Sequence, residues 1–599
     1  MHMRIVRTDC LILALGLALG LVLSCTPEEA PTQTEPQLQL LGGSNYYTAG
    51  PEETLLEGIT FSSTGPWRTS LTFEGEGGWI YLEPGYGAEA GEHTLSVTLL
   101  ANRTGSARRA EISIRQTGSD PLKIFVTQES SPRIQTEYLS VTSPKLGTEL
   151  ANPLLDFHFV ADPTALEYDG RLYVYGTNDH QQFQEASENT YEKIKSLVVF
   201  STDDMVNWTY HGLIPVGEIA PWISASWAPS VVYTQKADGS PRFSLYFSNS
   251  GWGVGVLEAG SPLGPWTSPL DASLIDGNNE TVKGSGSIFD PGALVDDVGT
   301  PWVAFGGTQG WLARLGADMH SFDTTPMQLP SPFHFEANEL NCIGGTYVYT
   351  YNTNWQDHSS WTWGGTVPGA CSMVYMKSTT PMDADSWTYG GMYFKNPGYN
   401  GFDFGNNHTH LHKYQGKWYL FYHVQSPLQS AFGTTGGFRS LQVDEIEVDE
   451  ENVTIKECIP TREGVQALKN LDPFALQRAA TVAATQNIVF NATGEAGHTT
   501  AAVGSPALSG SETRVGVIEV RGVDFGTGAS QLTCRLRGEG LLSVRLDDFQ
   551  GEDIALLGAA SKDAWSESST ACYTTLSGVH TLYFIMEQGV ELDSWQFAR

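Results

Sequence analysis

Arg171-Leu-Tyr-Val-Tyr-Gly, Phe243-Ser-Leu-Tyr-Phe-Ser, Pro301-Trp-Val-Ala-Phe-Gly-Gly, Thr346-Tyr-Val-Tyr-Thr-Tyr and Lys417-Trp-Tyr-Leu-Phe-Tyr-His are five versions of one string. Each concentrates aromatic and β-branched residues in a short run and reads as a buried strand. Most are followed by a second strand and an outer segment with Pro or Trp, as in Ser201-Thr-Asp-Asp-Met-Val-Asn-Trp, Ser261-Pro-Leu-Gly-Pro-Trp and Thr380-Pro-Met-Asp-Ala-Asp-Ser-Trp. Units of roughly 45–75 residues, all strand and turn, predict a five-bladed β-propeller over residues 150–471 rather than a helical solenoid. The inner strands of such a ring converge on a central channel, so residues leading into separate blades meet there.

Outside this repeat the chain stays all-β. Residues 38–130 alternate apolar and polar in short runs, such as Thr94-Leu-Ser-Val-Thr-Leu-Leu and Ala110-Glu-Ile-Ser-Ile-Arg-Gln, the period of half-buried antiparallel strands. Residues 472–599 hold Val515-Gly-Val-Ile-Glu-Val, Leu541-Leu-Ser-Val-Arg-Leu and His580-Thr-Leu-Tyr-Phe-Ile-Met and predict a β-sandwich. A chain of 599 residues accommodates these domains comfortably. Its net charge of −34 sets nucleic acid aside as a partner, while 16 Trp, 24 Tyr and 26 Phe suit stacking on the flat apolar faces of sugars.

At the N-terminus Arg4 and Arg7 precede the apolar run Leu11 to Leu23 and then Ser24-Cys25. This reads as a secretory signal over residues 1–24, too short for a comfortable membrane span. The small residue followed by Cys resembles a bacterial lipobox, which implies a lipid on Cys25, a flexible Pro-, Glu- and Thr-rich tether over 25–37, and an exported lipoprotein of the outer membrane, held to the membrane only by that anchor. Of the remaining cysteines, Cys534 and Cys572 share one expected sandwich, where an exported protein permits a bridge; Cys342 with Cys371 is the lesser option.

Three acids stand just upstream of aromatic strands: Asp162 in Val-Ala-Asp-Pro, Asp290 in Ile-Phe-Asp-Pro and Glu336 in His-Phe-Glu-Ala. Two carboxylates and a third that tunes them suffice for glycoside hydrolysis, provided the fold gathers them. A lone Asp-Pro is ordinarily a turn, and Glu339 competes with Glu336 for the third role.

Asn152-Pro-Leu-Leu, Val160-Ala-Asp-Pro-Thr, Gly170-Arg-Leu-Tyr-Val-Tyr-Gly-Thr-Asn-Asp, Trp227-Ala-Pro-Ser, Phe289-Asp-Pro-Gly-Ala-Leu-Val-Asp-Asp and Gly405-Asn-Asn-His, in this order, resemble glycoside hydrolase family 43 across the whole middle domain. The resemblance implies an inverting mechanism with Asp162 as general base, Glu336 as general acid and Asp290 as the residue that orients the acid and raises its pKa. It also aligns His408 with a central histidine associated with bound calcium or its water shell, the alternative being a packed core histidine, and Arg439 in Gly-Gly-Phe-Arg-Ser with an arginine that contacts the sugar. No organic cofactor is implied. Trp227, Trp252 and Trp355 are candidates to line the cleft, against simple packing.

Trp79, the Asn102-Arg-Thr-Gly turn and the Val-Thr-Gln that ends the first β region resemble the BACON domain, which implies an immunoglobulin-like sandwich over residues 38–130, with a spacer as the preferred reading over glycan binding. Gly522-Val-Asp-Phe-Gly-Thr-Gly-Ala, Ser577-Gly-Val-His-Thr-Leu-Tyr-Phe and Leu592-Asp-Ser-Trp-Gln-Phe resemble carbohydrate-binding module family 6, which implies a jelly-roll sandwich with Trp565 as the loop tryptophan on which a sugar stacks. Together these resemblances imply removal of α-L-arabinofuranosyl groups from arabinoxylan or a related plant cell-wall polysaccharide. A β-xylosidase or an arabinan-cleaving enzyme is the runner-up, and a non-catalytic surface glycan-binding protein the reading from another class.

Overall fold

The computed structural model describes residues 35–137, 139–504 and 515–599; the signal segment, Cys25 and most of the tether lie outside them. The described residues are all-β, their only helices being short turns such as Asp179–Glu185 and Leu428–Ala431. Two compact units are present, one ending at Ser131 and one running from Pro132 to Arg599.

In the first unit, Leu38–Gly42, Thr54–Ser63, Gly91–Leu99 and Ile80–Glu83 form one sheet, and five strands including Arg108–Gln116 and Leu122–Gln128 form the other. The sequence alternation becomes alternating burial: Leu95, Val97 and Leu99 point into a core with Ile59, Phe61, Trp67 and Trp79 while the residues between them stay more accessible.

In the second unit the middle of the chain makes five antiparallel sheets in succession. Their first strands are Ala161–Tyr168, Trp227–Gln235, Gly292–Val295, His334–Ile343 and Thr409–Tyr414. Each first strand contacts the first strand of the next sheet, and the fifth contacts the first, so all five surround a common axis. The aromatic strings are the second strands, paired outside them. Their inward-facing rings, Tyr175, Tyr246, Phe305, Tyr349 and Phe421 among them, are buried and fill the space between sheets.

The expected border at residue 472 is not a mechanical one. Strand Thr481–Val482 extends the first sheet by pairing with Trp208–Ile214, Trp208 opposite Val482. A single apolar core then runs from Val174, Phe200 and Trp208 through Ile518 and Val520 to Phe584 and Trp595. The stretch between the N-terminal unit and residue 150 also joins this body: Ile134 and Leu146 pack on Val517, Tyr583 and Ile585, and Arg133 donates to the carbonyls of Gln550 and Gly551 at 2.5 and 2.7 Å.

The expected disulfides are corrected: Cys342, Cys371, Cys458, Cys534 and Cys572 are all free thiols. Cys534 lies opposite Ser568 in the ladder that joins Ala529–Gly538 to Ser566–Leu576, so Cys572 is four residues farther along, about 13 Å at strand spacing and beyond bridging distance. Cys342 lies at the hairpin end of its sheet, whereas Cys371 precedes the strand that begins opposite Asn352 at the other end.

Trp208 is wholly buried at the junction of both parts of the second unit. Trp208→Ala is therefore expected to lower the stability of that unit by about 3–5 kcal/mol, read from urea unfolding as one shared loss rather than melting of the C-terminal sandwich alone.

Candidate active site

The central ends of the first strands carry an unusual backbone. Asp162, Ala228 and Asp290 each precede a proline and have φ of 50°, 41° and 49°, and Ala337 in the fourth sheet has φ of 61°. A left-handed residue with a side chain is uncommon, and the one before proline is ordinarily extended, so each costs on the order of 1–3 kcal/mol and persists only where its surroundings hold it. Here each strained N–H is caught by a side chain distant in sequence: Asp162 by His423 Nδ1 at 3.2 Å, Ala228 by Thr177 Oγ1 at 2.7 Å, Asp290 by Ser248 Oγ at 2.8 Å, and Ala337 by Asp290 Oδ2 at 2.9 Å. The ladders shift register beside Asp162, Ala228 and Glu336, and such bulges turn side chains out of the strand alternation toward the axis.

Asp162, Asp290 and Glu336 are thereby brought around His408. His408 Nδ1 lies 3.5 Å from Asp162 Oδ1 and 3.9 Å from Asp290 Oδ2. Asp162 accepts from Arg439 Nη1 at 2.8 Å and from Thr177 Oγ1 at 2.7 Å. Burial alone would push its carboxyl up, but Arg439 and His408 outweigh it and hold Asp162 well below the usual carboxylate range. His423 is neutral, pushed down to about 3 by burial and Arg439; its Nε2 bonds the Asn406 carbonyl, leaving Nδ1 to accept from Asp162 N–H.

Glu336 goes the other way. Burial first, and then the negative charge of Asp290, push it up to about 8. Asp290 is itself raised by burial, opposed by His408. The hydrogen bond from Ala337 N–H to Asp290 also fixes the turn that carries Glu336. Asn338 completes that turn by donating to the carbonyls of Asp290 and Gly306 at 2.9 and 2.8 Å, and its Oδ1 accepts from Tyr349 at 2.5 Å. Glu339, the competing acid, points elsewhere: it pairs with His410 Nδ1 at 2.5 Å and accepts from Leu411 N–H.

Arg439 is only 3% exposed and engages three of its five N–H groups with carboxylates: Nη1 with Asp162, and Nε and Nη2 with the two oxygens of Asp179, all at 2.8 Å. The Tyr191 ring lies 4.9 Å below the guanidinium. The arginine expected at the sugar thus anchors a carboxylate in this structure. Trp227 braces the same corner, donating to Tyr191 O at 2.9 Å. Trp252 and Trp355 are 54% and 46% exposed at the same ends of their sheets as the acids. Trp565 belongs to the C-terminal sandwich, where Arg535 and Arg537 lie over its ring at 5.4 and 4.7 Å.

Sequence reasoning passed over Asp179, Thr177 and Asn338. The first two stand in Gly176-Thr-Asn-Asp-His, where Asn178 caps the short helix that begins at Asp179. An acid at a capped helix start was a signal available beforehand. Among the described residues no three His, Cys, Asp or Glu side chains converge as a metal ion requires. His408 offers one nitrogen turned toward two carboxylates and not the oxygen cage that calcium prefers, so the side chains present do not fit the implied ion.

Residues 150–453 match the sequence model of glycosyl hydrolases family 43. An arabinoxylan arabinofuranohydrolase of Bacillus subtilis (strain 168) is 33% identical over 497 residues, covering 75% of this chain and 92% of that protein. The chain belongs to this family of glycoside hydrolases. An arabinoxylan arabinofuranohydrolase of Paenibacillus polymyxa is 32% identical over 491 residues, 75% of this chain and 74% of that protein. Among solved structures, the family 43 arabinoxylan arabinofuranohydrolase from Bacillus subtilis in complex with cellotetraose superposes with a TM-score of 0.69 at 31% identity, covering 77% of this chain and 99% of that one. The family 43 site here therefore sits in an all-β propeller framework.

Asp179→Ala would leave the Arg439 charge buried with one carboxylate partner. The expected loss is about 3–5 kcal/mol of stability by denaturant unfolding, with Asp179→Asn costing less because it still accepts one hydrogen bond.

Proposed function

We propose that this chain is an inverting hydrolase that removes α-L-arabinofuranosyl groups from arabinoxylan or a related plant polysaccharide. The observation that carries the chemistry is the opposite proton state of two carboxyls in one site: Asp162 held ionised, Glu336 held protonated near neutral pH. Such a split supports Asp162 as the base and Glu336 as the acid. Glu336 donates its proton to the glycosidic oxygen as the bond to the anomeric carbon breaks. Asp162 removes a proton from a water that attacks that carbon from the opposite face, a geometry that inverts the centre and calls for carboxyls about 6.5–9.5 Å apart. Asp290 keeps the acid protonated and holds its turn, and Arg439 keeps the base ionised. No step runs through a metal.

The substrate follows from the two arabinoxylan arabinofuranohydrolases matched over most of the chain. A polymeric substrate also suits Trp355, Trp363, Tyr399 and Phe404, each about half exposed in the connections within and after the fourth sheet, whose first strand carries Glu336, with Tyr399 and Phe404 packed edge to face at 5.1 Å. In the same reading the ring of five sheets is a five-bladed propeller, the N-terminal unit a BACON-like spacer, and residues 472–599 a family 6-like carbohydrate-binding module. Cys25 carries a lipid that holds the exported protein at the outer membrane.

Asp162→Ala and Glu336→Ala are each expected to cut arabinose release from arabinoxylan by ~10²–10⁴-fold, measured chromatographically, with proton NMR of the first product showing the inverted anomer. Xylose in place of arabinose, or wild-type turnover in both variants, would defeat the assignment. Because Glu336 must be protonated, kcat/KM is expected to fall as pH rises through about 8. Asp290→Asn removes a negative neighbour and should move that alkaline limb to lower pH.

A further inference from the structure

Below the first sheet, a cavity of about 510 Å³ opens between that sheet and the segment leading into the C-terminal sandwich. It is remote from the chemistry. Arg171, on its wall, pairs with Tyr168 at the outer end of the ladder whose other end holds Asp162. Six residues of strand separate the two ends, about 20 Å.

The wall carries Arg171, Lys469 and Arg478 against Asp203 and Asp472. Cations outnumber acids here, in a chain whose net charge is −34. His211 adds no charge, since burial holds it down to about 4. Arg171 is fixed in place: Nε donates to Ser201 Oγ at 2.7 Å, Nη2 to Thr209 Oγ1 at 2.6 Å, and Nη1 lies 3.7 Å from Asp203. Lys469 reaches the same Asp203 at 2.9 Å. Arg478 differs from both. Among the described residues its guanidinium has no hydrogen-bond partner, and its Nη1 is shielded from water as well. Nη1 is therefore out of a ligand's reach, and the edge formed by Nε and Nη2, which no described group engages, is the one open to a ligand in the cavity.

We propose that this cavity binds the carboxylate of an acidic sugar, a uronate residue of a glycan, with Arg478 as the principal donor. The fork of a guanidinium matches a carboxylate in two parallel hydrogen bonds. The space exceeds what a lone inorganic anion fills, and Leu476, 69% exposed, gives it an apolar ledge; the hydroxyls of Thr209 and Thr481 bond each other, and Gln477 donates its Nε2 to the Asp472 carbonyl, which leaves Gln477 Oε1 to accept from a sugar hydroxyl. The choice of a sugar as the carrier rests on the polysaccharide-hydrolase reading; the binding itself is measured apart from catalysis. A chain bound here would be held on the side of the ring away from the active site, so the cavity tethers the polymer and takes no part in bond cleavage.

The test is calorimetric titration of the whole protein with sodium glucuronate, glucose and inorganic phosphate. Glucuronate is expected to bind, glucose not to bind, and phosphate to bind more weakly than glucuronate. Arg478→Gln should weaken glucuronate at least about tenfold, and the exposed Lys469→Gln, a safer change for folding, by about threefold, with the affinity falling as salt rises. Hydrolysis of an aryl arabinofuranoside should be unchanged in both variants. Absence of glucuronate binding, or equal binding by Arg478→Gln, would overturn the site, and phosphate binding tighter than glucuronate would overturn its assignment to a sugar acid. Neither result bears on arabinose release, which tests the catalytic reading separately.

Discussion

The buried guanidinium of Arg439, shared between Asp162 and Asp179, is the interaction on which the centre of this protein depends. Bringing acidic side chains to the axis of a ring removes them from water and favours their neutral forms. One fixed positive charge breaks the symmetry: Asp162 stays ionised beside Arg439, while Glu336, farther from it and next to Asp290, stays protonated. The same ion pair ties the first sheet to the fifth, because Asp162 and Asp179 flank the second strand of the first sheet and Arg439 precedes the last strand of the fifth.

A second constraint is the strained backbone at the strand entrances. Four positive-φ residues with side chains are individually unfavourable, and each is held by a hydrogen bond from its own N–H to a side chain distant in sequence. In this way local strain becomes a register device: a strand that slipped would lose the acceptor as well as the aim of its side chain. Asp290 serves both ends, accepting from the Glu336–Ala337 turn and raising the pKa of the acid that the turn presents.

Much of this was legible in the chain itself. The five aromatic strings announced five sheets because buried strands leave a compositional mark that survives without tertiary information. The acids were legible as Asp-Pro and Phe-Glu-Ala motifs. Asp179 and Asn338 were not, since their partners, Arg439 and Asp290, are distant in sequence and a contact between sheets has no local signature. The disulfide expectation failed for the same reason: shared domain membership does not fix ladder register, and register separates Cys534 from Cys572. Nor does the chain announce that strand Thr481–Val482, beyond residue 472, pairs back into the first sheet, since its partner Trp208–Ile214 is distant in sequence.

The sequence by itself determined the all-β class and marked five aromatic strands and three acids that the fold brings around His408, since periodicity and composition are properties of the chain. Only the tertiary structure decided which acid is ionised and which is protonated, why Glu336 and not Glu339 faces the axis, that Arg439 anchors a carboxylate, and where an unpaired Arg478 meets a cavity. Proton affinity and pairing depend on distance and dielectric, which exist only after the sheets have closed around one another.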